Sequence, residues 1–238
     1  MLAGTLTMTL SGLVSVTAER TAESGPAGAT TTTTRPPSTL EPLVTVNGLA
    51  PVITRVATID PVVFLTIDDG HTRSPELAAV LAELDVPTTL FLNDGPVSRD
   101  PDFFRSLPGA TVESHTRSHA DLRGLPEPAQ RTEICGNADT IAAAFGRRPV
   151  LFRPPYGHYD DATRRAAAAC GMAALVLWEE TVEGGTVSYR STPRLRPGDI
   201  VLFHFRPGLA DELRTMVRRI EAAGLRAARL EDYLVPGG

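Results

Sequence analysis

The chain has 238 residues, of which 42% are hydrophobic, and this suffices for one α/β domain of roughly 200 residues with a full core. Its net charge is -5 and its basic residues form no stripe, which argues against a surface for nucleic acid or anionic lipid. We therefore expect one folded domain and no nucleic-acid partner.

The N-terminal segment differs in composition from the rest of the chain. Residues 1–18 are mildly apolar, but threonine and serine interrupt the run and no basic residue precedes it. They fit either the remnant of a signal or anchor segment or a disordered tail. Residues 19–47, rich in threonine, proline and small residues, predict an extended linker. A leader with such a spacer favours export and a membrane or wall tether, and leaves residues 48–236 as the folded domain.

From about residue 48 the sequence alternates between strand and helix patterns. Residues 62–67 form an apolar, β-branched run, and Ser74-Pro75 then begins a helix with a cap and a first-turn proline. Further apolar runs occur at 88–92, 150–152, 173–177, 200–203 and 225–230, with helical stretches at 128–145, 161–170 and 209–223. Repeated βα units predict a parallel sheet, either barrel or doubly wound, with its chemistry at the carboxyl ends of the strands.

Two adjacent carboxylates, Asp68 and Asp69, follow the first predicted strand directly, and Gly70 comes next. A hydrophobic strand that ends in two carboxylates is unfavourable unless a cation or a proton shares their charge. The alternative is a solvated turn in which an aspartate caps the next helix.

Two histidines four residues apart, His115 and His119, form a second candidate group. On a helical turn they would project to one face, about 5 to 6 Å apart at Cβ. With one carboxylate they would supply three protein ligands and leave a position open for water, as in a catalytic zinc site. The alternative is a pair of surface histidines at an accidental spacing.

Two further polar groups follow predicted strands. Arg153 precedes Pro154, Pro155 and Gly157, which fix an unusual backbone path, and it could hold a carboxylate through a bidentate pair. A rigid loop with an exposed arginine is the alternative. His204 ends the run at 200–203, where a single histidine is more often structural than catalytic.

Taken together, these segments resemble the polysaccharide deacetylase family, also called carbohydrate esterase family four or the NodB homology domain. The family's T-F-D-D-G reads T-I-D-D-G at residues 66–70, and its H-[ST]-x-x-H falls at 115–119. Its R-x-P-x-G falls at 153–157 and its closing L-x-H at 202–204. The four motifs occur in order, and the resemblance extends over residues 48–236.

The resemblance implies an α/β fold, an irregular (β/α) barrel with fewer than eight regular strands. It implies that Asp69, His115 and His119 bind one divalent metal, zinc first, with Co²⁺ and Ni²⁺ as alternatives. The implied activity is the removal of N-acetyl groups, or O-acetyl groups, from cell-wall or chitin-like glycans. The protein is expected to be an extracytoplasmic monomer.

The resemblance also implies the catalytic roles. Asp68 is expected to act as general base, Arg153 to orient Asp68, and the backbone amide of Tyr156 to contribute to the oxyanion site. His204 is expected to act as general acid. These roles agree with the chemistry, because a carboxylate can take the proton of an attacking water and an amine leaves readily only when it is protonated.

One segment departs from the family pattern. The family carries an Asp-Trp pair whose aspartate supports the acid histidine and whose tryptophan walls the substrate groove. Here no such pair follows Trp178, which is the only tryptophan of the chain. Trp178 is a candidate for the wall, and Glu179, Glu180 or Glu183 for the aspartate, while solvated loop glutamates are the alternative. The departure concerns the substrate and the tuning of His204 more than the reaction class.

Other interpretations remain open at this stage. Two histidines and one carboxylate also form the facial triad of non-haem iron oxygenases, although such an enzyme needs no second carboxylate. A non-catalytic glycan-binding module on the same fold is a further alternative. Among substrates, peptidoglycan is favoured because a linker would hold the domain near the wall. Cys135 and Cys170 either form a disulfide or are separate core residues.

Overall fold

The computed structural model describes residues 43–234. The predictions for residues 1–18 and for the linker up to residue 42 fall outside the described residues. The strands are β1 (Val52–Ile53), β2 (Val62–Asp69), β3 (Thr88–Leu92), β4 (Ala110–Ser114), β5 (Leu151–Phe152), β6 (Ala174–Val176), β7 (Glu180–Glu183), β8 (Thr186–Tyr189), β9 (Ile200–His204) and β10 (Arg226–Ala227). The helices are α1 (Pro75–Leu84), α2 (Asp94–Arg99), α3 (Pro101–Arg105), α4 (Glu127–Phe145), α5 (Asp161–Ala169), α6 (Leu209–Ala222) and α7 (Glu231–Leu234), with a 3₁₀ turn at Pro155–Gly157.

One mixed sheet organises the domain, in the order β1-β6-β5-β4-β3-β2-β9-β7-β8, and β10 pairs with the start of β2. The pairs are parallel except for the antiparallel hairpin β7–β8. Only β2, β3, β4 and β9 of the described strands have five residues or more. The sheet curls into a half-barrel with helices outside it, which confirms the predicted irregular (β/α) barrel.

Strand β2 is buried on both faces, as expected for a parallel strand whose sheet is covered on both sides. Val63 and Leu65 point outward into the core that the sheet shares with α1 and α6. Val62 and Phe64 point inward, where they pack with residues of β9, β6 and α7. Because side chains alternate along a strand, Asp68 continues the inner row. The hydrophobic strand therefore carries a carboxylate to the interior of the half-barrel.

Helices α4 and α5 pack side by side and are joined by the disulfide Cys135–Cys170, with Cα atoms 5.0 Å apart. Of the two alternatives for these cysteines, the structure has the disulfide. Helix α5 begins with a capping box between Asp160 and Thr163, which satisfies backbone donors at its first turn.

The main predicted elements are present, with ends shifted by a residue or two. The exception is the run at 225–230, of which only Arg226–Ala227 is a strand. Strand β4 was not predicted, although it leads directly into His115. Leu43 packs against the inner core, so the last residues assigned to the linker contact the domain. Among the described residues, no helix is both long and apolar enough to span a bilayer.

Candidate active site

The carboxyl ends of the parallel strands surround a cavity of about 240 Å³. It is lined by Asp68, Asp69, His115, His119, Tyr156, Trp178, Thr181, Leu202 and His204. The structure thus brings six of the seven predicted site residues into one cavity. The seventh, Arg153, is buried against Asp68.

Asp68 and Asp69 face the same cavity although they are neighbours in a strand. Successive side chains of a regular strand point to opposite faces, so one of the two residues must leave that geometry. Asp69 does so with φ of 80°, a left-handed conformation that is unusual outside glycine. Gly70 follows with φ of 83°, and a Cβ there would lie 2.9 Å from both Leu92 and Phe104. The glycine of the motif is therefore required by conformation and by space.

The two histidines lie in a loop, so their predicted placement on a helical turn is wrong. The loop follows β4 and contains two left-handed residues, Thr116 with φ of 68° and His119 with φ of 60°. These conformations replace the helical turn and still bring the imidazole rings of His115 and His119 to a centroid distance of 5.1 Å.

The three predicted ligands converge on one point. Oδ1 of Asp69 lies 3.4 Å from Nε2 of His115 and 3.3 Å from Nε2 of His119. This Oδ1 is buried and has no hydrogen-bond partner, which is unfavourable unless a ligand completes the site. The donor set of two imidazoles and a carboxylate, with ligand atoms all within 4.8 Å of one another, fits a catalytic zinc site. The residues present therefore fit the metal that the resemblance implies.

The other ring nitrogens of the histidines are engaged, which orients the rings. Nδ1 of His115 lies 2.8 Å from the carbonyl oxygen of Arg153, and this fixes the tautomer with the proton on Nδ1. Nδ1 of His119 lies 3.2 Å from the hydroxyl of Tyr156. Both Nε2 atoms are thereby left for a ligand, as in metal sites whose histidines are oriented by outer contacts.

The electrostatics of the cluster favour an ionised Asp69 and a neutral His119. Burial alone would raise the pKa of Asp69, but the nearby imidazole of His115, with the charges of His119 and His204, holds that pKa below its ordinary value. The pKa of His119 is lowered, first by burial and then by the charge of His115. Carboxylate and neutral imidazole are the forms that bind a metal.

Asp68 is held by Arg153 rather than by the histidines. Nη1 of Arg153 donates to Oδ1 of Asp68 at 2.7 Å and to the hydroxyl of Thr66 at 2.8 Å. Its Nε and Nη2 donate to the carbonyl oxygens of Val176 and Leu177, at 3.0 and 3.2 Å. Arg153 is fully buried, so the alternative of an exposed loop arginine is wrong. Its contact with Asp68 uses one nitrogen and is not bidentate.

The comparisons with known proteins agree with this geometry. The sequence profile described as polysaccharide deacetylase matches residues 55–175. An uncharacterised protein of Streptomyces coelicolor is 46% identical over 195 residues, which cover 78% of each chain. The chain belongs to the polysaccharide deacetylase family. The resemblance inferred from the four motifs is thus confirmed.

Two further proteins, both named as deacetylases, are similar to this chain. A peptidoglycan-N-acetylglucosamine deacetylase of Bacillus cereus is 25% identical, over 71% of this chain and 66% of its own. The chitin deacetylase of Colletotrichum lindemuthianum has the same fold, with a TM-score of 0.69 over 82% of this chain and 94% of its own, at 22% identity.

Two asparagines that sequence reasoning missed support the loops that carry the three candidate metal ligands. Nδ2 of Asn93 donates to the carbonyl oxygens of His115 and Thr116, and its backbone amide donates to the carbonyl of Asp69. Oδ1 of Asn137 accepts from the amide of His115 and the hydroxyl of Ser114. Asn93 directly follows a predicted strand, so the rule that singled out Asp68 would have found it. Asn137 lies within a helix and has no such signal.

The part of the cavity around His204 is built differently. His204 ends β9, paired in register with Asp68, and Trp178 lines the cavity as a wall candidate should. Glu179, a candidate for the missing aspartate, accepts hydrogen bonds from Ser191, at 2.5 Å, and from Arg196, at 3.2 Å, rather than contacting His204.

The other two glutamates that were candidates for the missing aspartate also lie elsewhere. Glu180 belongs to the opposite face of β7 from the cavity-lining Thr181, and Glu183 is exposed. The hypothesis that one of these glutamates supports His204 is therefore not met by any contact among the described residues.

Proposed function

We propose that the protein is a metal-dependent hydrolase that removes N-acetyl groups from sugars of a cell-wall or chitin-like glycan. The observation that carries this proposal is the unpartnered Oδ1 of Asp69 between two imidazole nitrogens, next to a second carboxylate, Asp68, that an arginine holds apart. Two adjacent carboxylates with separate partners can perform two separate tasks, metal binding and proton transfer.

Asp69, His115 and His119 would hold the metal, with zinc first and Co²⁺ or Ni²⁺ as alternatives. When bound there, the ion supplies Lewis-acid polarisation of a carbonyl and lowers the pKa of water. Asp68 would take the proton of the attacking water. Because Arg153 engages Oδ1 of Asp68, Oδ2 is left to accept that proton.

Tyr156 and His204 would act on the two ends of the acetamide bond. The backbone at Tyr156 has φ of 60° at a tight 3₁₀ turn, and among the described residues its amide donates to no protein acceptor. That amide would stabilise negative charge on the acetyl oxygen. His204 would donate a proton to the sugar nitrogen as it leaves, since imidazole carries and releases a proton near neutral pH.

The polymer and the compartment are part of the same proposal. Peptidoglycan is the first choice of substrate, because a threonine- and proline-rich segment before the domain suits a tether near the wall. The disulfide between α4 and α5 supports an extracytoplasmic location, since disulfides persist in oxidising compartments.

The test is acetate release from N-acetylglucosamine oligomers and from peptidoglycan fragments, followed by mass spectrometry for the loss of one acetyl unit. We expect release that chelation abolishes and that zinc restores, with about one metal per chain. Binding of the oligomers without acetate release under any divalent metal would identify a glycan-binding module. Activity that requires oxygen would identify an iron oxygenase.

A further inference from the structure

Arg73 lies against the loop that carries Asp69, outside the cavity. Its side chain is 23% exposed. Its guanidinium donates through Nη1 to the carbonyl oxygen of Gly70 and through Nη2 to the carbonyl oxygen of Pro96, the latter at 3.0 Å. The guanidinium of Arg73 thus bridges Gly70, the residue after Asp69, and helix α2. Arginine is suited to such a contact because its donors form a rigid fork.

The guanidinium packs against the start of helix α3. The group lies over the rings of Phe104 and Phe103, at 4.7 and 5.2 Å from their centroids, and its Nε is 3.6 Å from the carboxylate of Asp100. Oδ1 of Asp100 also accepts from the amide of Phe103 at 3.1 Å, which fixes the start of α3. The orientation of Arg73 is therefore set by two rings and a carboxylate.

The loop needs such support because of its backbone. Asp69 and Gly70 are consecutive left-handed residues, and a non-glycine residue in that region persists only where the surroundings enforce it. The carbonyl of Asp69 is held by the amide of Asn93 at 3.3 Å, and the carbonyl of Gly70 is held by Arg73. The peptide between Asp69 and Gly70 is also held at its amide, which donates to the carbonyl of Asp68 at 3.2 Å. Arg73 holds the next peptide, after Gly70, and without that contact the exit of the turn is free to move, which loosens the backbone that keeps Oδ1 of Asp69 at the histidine nitrogens.

We propose that Arg73 is a positioning residue for the metal centre, holding Asp69 in its left-handed conformation so that the metal site is formed before the metal binds. This inference rests on the proposed metal site. It predicts that loss of Arg73 weakens metal affinity, whereas a purely structural residue would lower stability and leave the affinity of the folded protein unchanged.

The test compares Arg73→Met and Arg73→Lys with the control Arg105→Met. Arg105 belongs to α3, against which Arg73 packs; like Arg73 it lies near an aromatic ring, 5.5 Å from the centroid of Phe145, and donates to a backbone carbonyl, that of Ala144. It contacts no part of the metal loop among the described residues. The dissociation constant for Zn²⁺ is measured on the folded metal-free full chain against a competing chelator, and the thermal midpoint is recorded for each variant.

We expect Arg73→Met to weaken zinc binding about 10- to 100-fold, the range seen when outer contacts of metal ligands are removed. Arg73→Lys should fall between Arg73→Met and the wild type, because an ammonium keeps the charge but not the fork, and it serves alone if Arg73→Met fails to fold. Arg105→Met should bind zinc like the wild type. Unchanged affinity in both Arg73 variants, or equal weakening in Arg105→Met, would overturn the inference. A wild-type protein that binds no metal would instead overturn the proposed function.

Discussion

The two sides of the cavity differ in how firmly their side chains are held. On the metal side, named for the proposed ligands Asp69, His115 and His119, the two histidines each have a partner at Nδ1, and Asn93 bonds to the loops of both β2 and β4. On the acid side, named for the proposed general acid His204, the imidazole of His204 makes no hydrogen bond within residues 43–234. A preorganised ligand set favours binding before substrate arrives, whereas an unsupported acid must be oriented by packing or by the substrate itself. Metal affinity and proton donation should therefore respond to different substitutions.

The largest effect is expected from His119→Ala, which removes one of the three proposed metal ligands. We predict that metal content falls far below one equivalent and that deacetylation is lost, because two ligands rarely hold a catalytic zinc. Metal analysis after dialysis, together with acetate release, provides the check. If this variant kept its full metal content, the ligand assignment on the metal side would be wrong.

Asp68→Asn separates the two adjacent carboxylates. The amide has nearly the same volume but cannot accept a proton from water, so we expect the rate to fall by about 10² to 10⁴. Metal content should stay close to that of the wild type, whereas the thermal midpoint should fall, because the buried guanidinium of Arg153 loses its counter-charge. Steady-state kinetics with matched metal analysis tests this, and near-normal turnover would mean that Asp68 and Asp69 have other roles.

His204→Ala probes the acid side directly. An amine needs a proton to leave and an activated phenolate does not, so the variant should lose far more activity towards acetamides than towards nitrophenyl acetate. Metal content should not change. The ratio of the two losses is the measurement. Equal losses would make His204 a structural or positioning residue, and His71 or His158 would then be tested as the acid.

The smallest effect, on the pH dependence of stability, is expected from Glu180, which is buried. Burial, followed by the charge and hydrogen bond of Asp199 and the charge of Glu179, raises the pKa of Glu180 well above its ordinary value, with Arg196 opposing. The folded protein therefore binds this proton more tightly than the unfolded chain. The bound proton adds to the free energy of unfolding. This addition is complete below the ordinary glutamate pKa and is lost as the pH rises towards the raised value, by at most about 1.4 kcal/mol per pH unit.

Glu180→Gln tests this difference, because the amide stays neutral across that range. The unfolding free energy of the variant, measured by urea denaturation at several pH values, should depend less on pH than that of the wild type. The zinc affinity of the metal side should not change. An unaltered pH dependence in Glu180→Gln would show that Glu180 does not carry the proton.

The sequence located the residues that line the site, but it did not predict which residues surround His204. Strand ends and short motifs located Asp68, Asp69, His115, His119, Arg153, Tyr156 and His204, because residues that follow parallel strands meet at one edge of the sheet. The helical turn assumed for the histidines was wrong, since four-residue spacing also occurs in a loop with left-handed residues. The position of the glutamates after Trp178 depends on the pairing of β7 with β9, which no local pattern encodes.

The left-handed conformation of Asp69 bears on the transfer of this centre to other scaffolds. A designer who copies only the residue types onto a regular strand would direct the two carboxylates to opposite faces of the sheet. One of them would then be absent from the pocket, whatever the quality of the histidine placement. A successful graft has to copy the backbone of residues 69 and 70, with space for a glycine against Leu92 and Phe104, before any side chain is chosen.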